Sequence, residues 1–175
     1  GALTIGASTT IAEYMLPSLL GEFKQHYPDV NIHLKVSNTE GIVQMVENNI
    51  IDLGVVEAPV SNKNLVVDEC RTDELVAIVP NDHVLSSLDS IKIDELIQHP
   101  FICREEGSGT RDVIVECLAQ NGVDKKALKI SMELGSPEAI KGAVEAGMGI
   151  SIISSTTIDK EMRLKSLHPL HLEQI

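Results

Sequence analysis

The chain has 175 residues, 43% of them apolar and 2% aromatic, and its 14 basic and 26 acidic side chains leave a net charge of −12. That length and composition suit one domain or two small lobes with a buried core, and exclude a disordered chain. So acidic a chain, with no cluster of Lys or Arg and only Tyr14, Phe23, Tyr27 and Phe101 for stacking, is a poor partner for nucleic acid and better suited to small polar ligands.

Leu3 to Ile5 reads as a short strand. Ala12, Met15, Leu16, Leu19, Leu20, Phe23 and Tyr27 then mark one face of a helix that Pro17 kinks or restarts. Pro28-Asp29 ends it, Asn31 to Val36 alternates like a strand, and Ile42, Met45 and Val46 place a second helix behind Asn38-Thr39. With a strand at Leu53 to Val56, the order is β-α-β-α-β, which parallel strands and right-handed crossovers satisfy. Two β-rich runs follow, Leu65 to Cys70 and Leu75 to Val79, punctuated by Pro80-Asn81-Asp82.

A second unit opens with a short helix near Asp94 to Ile97, a strand at Phe101 to Cys103 and a glycine turn at Glu106 to Gly109. Val113, Ile114, Cys117 and Leu118 stripe the next helix, Asn121-Gly122 stops it, and Leu128 to Leu134 reads as a strand. Ser136 is placed to cap a helix with Pro137 in its first turn and Ala139, Ile140, Ala143 and Val144 facing inward. Gly147 and Gly149 end that helix, Ile150 to Ile153 reads as a buried strand, and Ser154 to Thr157 as a polar link back to the first lobe.

No apolar run reaches the roughly 18–20 residues of a membrane helix, and the start lacks the regions of a signal peptide, so a cytoplasmic protein is expected. Cys70, Cys103 and Cys117 form no C-x-x-C and read as small core residues rather than disulfides or zinc ligands. The six histidines show no metal-ligand spacing, and no metal or cofactor is expected. Gly107 to Arg111 lacks the Walker ending, Gly147 to Ile152 lacks the third glycine of a dinucleotide fingerprint, and no nucleophile elbow is present.

Three polar clusters sit where a strand gives way to a helix: Ser8-Thr9-Thr10, Asn38-Thr39 and Gly107-Ser108-Gly109-Thr110. Helix N-termini offer unpaired N–H groups and about half a positive charge, hydroxyls add donors, and glycine admits a ligand close to the backbone. Each cluster alone also reads as ordinary capping, but three at equivalent strand ends point to a cleft for a small anion. Arg104 or Arg111 could add a fork-shaped partner unless Glu105, Glu106 and Asp112 occupy them. Glu57, after the third strand, would repel an anion. It either faces solvent, orients a donor, or favours a ligand with a protonated or amino end.

The motif order resembles the effector-binding domain of LysR-type transcriptional regulators. The resemblance rests on Gly1-Ala2-Leu3-Thr4-Ile5-Gly6, Leu16 to Phe23, Tyr27-Pro28-Asp29-Val30, Ile51 to Val56, Asp73 to Pro80, His83-Val84-Leu85 and Ala143 to Ile150. It covers essentially the whole chain and is specific in combination. Ala7 to Ile11 with Arg104 to Arg111 looks most like the branch holding regulators of sulfur assimilation and carbon fixation. The resemblance implies an α/β fold of two Rossmann-like lobes joined by two crossover strands, as in type 2 periplasmic binding proteins. Lobe I would comprise residues 1–79 and 156–175, and lobe II residues 80–155.

The family places an effector against Ser8, Thr10, Asn38 or Thr39, Glu57 and Ser108 to Thr110; Thr9, Arg104 and Gly107 complete the expected binding set, with no catalytic residue. Sulfate or sulfite is the favoured ligand class, although Glu57 departs from the neutral or basic residue of several relatives, and Ser154 stands where they usually carry proline. The resemblance further implies that DNA binding belongs to an N-terminal winged helix-turn-helix outside these residues, that lobe I continues beyond Ile175, and that the domain forms a homodimer or tetramer, pairing the Pro17 to Tyr27 helix of one copy with the Ser136 to Ala146 helix of the other. No membrane contact is expected. A solute receptor for a transporter is the alternative, and a transferase using Gly107 to Thr110 as a phosphate loop ranks last for want of a base–nucleophile pair.

Overall fold

A computed structural model describes residues 1–173. By contact the chain divides into two units, Gly1–Thr72 with Gly107–Gly109, and Asp73–Glu106 with Thr110–Ile175. The first is built on a parallel sheet of β1 (Ala2–Ser8), β2 (Asn31–Ser37) and β3 (Leu53–Val55) in the order β2-β1-β3. Being central, β1 buries its last four residues. Helix α1 (Thr9–Tyr14) breaks at Met15, and α2 (Leu16–His26) restarts with Pro17 in its first turn, where the missing N–H removes no helical bond.

Ile5, Ala7, Ile11, Ala12 and Leu16 form the core on one face of the sheet. On the other, α3 (Thr39–Glu47) lies close because β1 and β3 present Gly6 and Gly54 beneath it. A Cβ on Gly54 would stand 2.8 Å from Ile42 Cγ2, and one on Gly6 would strike Ile51 Cδ1. The glycines thus set how near the helix, and with it the Asn38 cap, sits to the strands.

The second unit pairs β4 (Leu75–Pro80) antiparallel with both β8 (Ser151–Ser154) and β9 (Leu167–Leu172), with β5 (Ser90–Ile91) beyond β9. A parallel pair, β6 (Pro100–Arg104) and β7 (Lys129–Leu134), joins through a bridge from Phe101 to Ile150. Helices α4 (Ile93–Leu96), α5 (Gly109–Gln120), α6 (Pro137–Glu145) and α7 (Asp159–Leu164) complete it. Phe101, Ile102, Ile150 and Leu170 are fully buried here.

Four sequence expectations change. Leu65 to Cys70 forms no strand, Val66 is 94% exposed, and Cys70 is exposed while Cys103 and Cys117 are buried. By contact, residues 73–79 and the C-terminal segment group with the second unit, because β4 pairs with β8 and β9. Ala139 is exposed on α6 and Lys141 buried instead, its ammonium bonded to Thr157 O and Glu161 Oε1, both at 2.6 Å. The expected inward face of the first long helix leaves Leu19 and Tyr27 about half exposed.

Candidate functional site

Register brings the expected strand ends together in the first unit. Ser8 pairs with Ser37 across β1 and β2, while Ala7 pairs with Val55 across β1 and β3. Ser8, Asn38-Thr39 and Glu57 therefore leave the sheet at one carboxyl edge, the end where parallel α/β sheets place ligands. Ser8 is buried and ends β1, Thr9 is half-buried, and Thr10 is buried in the first turn of α1.

The glycine turn closes on the same edge. Gly107 adopts φ +86°, in the left-handed region that favours glycine, and its carbonyl accepts from the Glu40 N–H at 3.3 Å. A Cβ on Gly107 would stand 2.7 Å from Glu40 Oε2 and 3.0 Å from Asn38 Nδ2; one on Gly109 would stand 2.6 Å from Thr39 Oγ1 and 3.2 Å from Ala58 Cβ. The φ of Gly107 favours glycine there, and a Cβ on Gly109 would force Thr39 to shift. Ser108, between them, is buried.

The Asn38 side chain caps α3, accepting from the Gly41 N–H at 2.9 Å. Thr39, the first residue of that helix, is only 7% exposed, yet its Oγ1 is buried without a hydrogen-bond partner. Leaving a buried hydroxyl unpaired costs about 1–3 kcal/mol, a cost that an acceptor brought to it would remove. The positive end of the α3 dipole favours an anion there.

Glu57 is half-buried, and its Oε1 accepts from Ser8 Oγ at 3.3 Å. Of the three readings left open by the sequence, orientation of a donor is the one whose hydrogen bond is seen. Glu40 and Ala58 were not singled out in the sequence. Glu40 carried a signal, an acid in the first turn behind an Asn cap, whereas Ala58 carried none.

Arg104 and Thr110 lie in the second unit and are both buried. Arg104 Nε donates to Glu105 Oε1 at 2.7 Å, and its Nη2 to Glu105 Oε2 at 3.3 Å. Arg111 donates to Arg104 O and Glu133 Oε2, both at 2.9 Å, and lies 3.7 Å from Glu106. The expected pairing with Glu105 and Glu106 is seen, while Glu133 was invisible until β6 and β7 were aligned. Desolvation opposes the charge on Arg111, but the Glu133 hydrogen bond and nearby negative groups outweigh it and raise its pKa. Burial lowers the His83 pKa, aided by His99, whose ring centroid is 5.2 Å away.

Among the described residues, no group of three or more His, Cys, Asp or Glu could hold a metal ion. No helix among them is long and apolar enough to cross a membrane. The sheet edge offers hydroxyls, a carboxylate and the N-terminus of α3 as hydrogen-bonding groups.

The model of the LysR substrate binding domain matches residues 1–174. A probable RuBisCO transcriptional regulator of Cyanophora paradoxa is 39% identical over 178 aligned residues, covering 100% of this chain and 55% of the relative. The chain thus spans about half the length of such curated relatives. The Synechocystis PCC6803 CcmR regulatory domain in complex with 2-PG is 37% identical, with a TM-score of 0.87 over 100% of this chain and 82% of that one. The effector-binding domain of QuiR with shikimate, at 22% identity and a TM-score of 0.86 over 100% and 82% of the two chains, shares the fold.

Proposed function

The chain belongs to the LysR substrate-binding domain family, with its periplasmic-binding-protein-like type 2 α/β fold, and from that premise we propose that it senses a small phosphate-bearing anion for a carbon-fixation-type regulator. The observation that carries this reading is the buried, unpartnered Thr39 hydroxyl at the N-terminus of α3, facing Gly109. Ser8, Thr9, Thr10, Asn38, Glu57 and the Gly107–Gly109 turn make up the rest of the proposed set in the first unit. The relatives named for RuBisCO, and the one held with 2-PG, favour a phosphorylated carboxylate over the sulfate or sulfite first expected.

In this reading the chain transforms nothing. The effector favours one arrangement of the regulator over another, since equal affinity for both would shift no equilibrium. DNA contact falls to a helix-turn-helix outside these 175 residues, and the domains associate as homodimers or tetramers. Titration calorimetry with 2-phosphoglycolate, inorganic phosphate, sulfate and sulfite tests the ligand class at constant ionic strength. Thr39→Val should weaken 2-phosphoglycolate binding by about tenfold or more, the loss expected for a hydrogen bond to a charged partner. An unchanged affinity in the folded variant overturns the site.

A further inference from the structure

We infer that the Ser8–Glu57 pair is a proton-counting filter in the proposed site, admitting a phosphate-type oxyanion that still carries a proton and rejecting a sulfate-type one. This deepens the anion-site reading and rests on it. A serine hydroxyl has one proton to donate and two lone pairs to offer. Here Ser8 Oγ spends that proton on Glu57 Oε1, 3.3 Å away. While that bond holds, Ser8 presents only lone pairs toward a ligand.

The Ser8 and Thr39 hydroxyls are therefore opposite in kind. Thr39 Oγ1 is buried without a partner and free to donate, at the positive end of a nine-residue helix. Ser8 can only accept. A ligand that satisfies both needs an acceptor oxygen for Thr39 and a proton for Ser8.

A phosphate monoester, with a second pKa near 6, can keep that proton; sulfate and sulfonate have none to keep near neutral pH. The acids at this end of the sheet act in the same sense. Glu57 follows β3, and Glu40 on α3 faces Gly107. A fully ionised oxyanion between them meets like charge, which a retained proton relieves.

The test is calorimetry on the 175-residue chain with 2-phosphoglycolate, in two buffers of different ionisation enthalpy, with sulfate as competitor. Above about pH 7, wild type should take up close to one proton per ligand bound. Its affinity should fall by nearly tenfold per pH unit, and sulfate should not compete. Glu57→Ala frees the Ser8 hydroxyl to donate, so proton uptake should collapse and sulfate should begin to compete.

Binding by wild type without proton uptake overturns the inference, whatever the variants do. So does a Glu57→Ala protein that keeps both the uptake and the preference for phosphate. Thr39→Val separates this failure from failure of the site. If it weakens 2-phosphoglycolate binding while Glu57→Ala keeps its discrimination, only the filter falls; if it changes nothing, the site falls with it.

Discussion

Burial decides which of the three thiols can react. Cys70 is exposed, whereas Cys103 and Cys117 are buried, and burial raises both thiol pKa values; for Cys103 it outweighs the opposing pull of Arg111. The nucleophile is the thiolate, so both its population and its access fall at the buried pair. Iodoacetamide at neutral pH should label one thiol per chain, at Cys70, and reach the other two only in denaturant. Labelling of Cys103 at a rate matching Cys70 would contradict the packing of β6. The sequence placed all three cysteines in the core because their neighbours are apolar, yet Cys70 lies in a segment with no sheet to join. Lys141 shows the converse limit. Nothing in its own helix announces that Glu161 and the Thr157 carbonyl will meet its ammonium, because both arrive from a later stretch of chain.

Elements carrying their own start and stop signals were legible. Helix α6 begins as its sequence requires, with the Ser136 hydroxyl accepting from the Ala139 N–H at 3.1 Å and Pro137 in the first turn. Ser136→Ala should cost about 1 kcal/mol, the usual worth of such a cap, and should appear as a lower urea midpoint with an unchanged slope. The break between α1 and α2 was legible for the same reason, since Pro17 acts locally. Leu65 to Cys70 was not: its β-branched run has strand propensity, but a strand is defined by its neighbour, and this segment is left exposed. The candidate site stood between these cases. Its hydroxyls and glycines could be read as caps and turns, but the unpaired Thr39 Oγ1 and the Ser8–Glu57 bond required the register of β1 against β2 and β3.

At the scale of the whole molecule, the surface left uncovered bears on association. Leu19 and Tyr27 on α2 are 51% and 56% exposed, with Phe23 half-buried and its ring centroid 4.8 Å from that of Tyr27. On α6 and its cap, the exposed residues include Ala139, Gly142 and Ala146, spaced three and four apart so that they share one face. Bulky apolar side chains on one helix and a smooth strip on another are complementary, and helices approach closely where one presents small residues. The proposed homodimer would set α2 of one copy against α6 of the second, satisfying both faces twice over through a two-fold axis. A net charge of −12 on each copy opposes that union at long range, so association should tighten as salt screens the repulsion. Light scattering across a dilution series should show dimer at micromolar concentration, with the dissociation constant falling as sodium chloride is raised. Leu19→Glu adds charge and removes the apolar contact at once, and should weaken the dimer by at least tenfold while leaving 2-phosphoglycolate binding intact. A monomer at every concentration, or a Leu19→Glu protein that dimerises like wild type, would remove α2 from the interface.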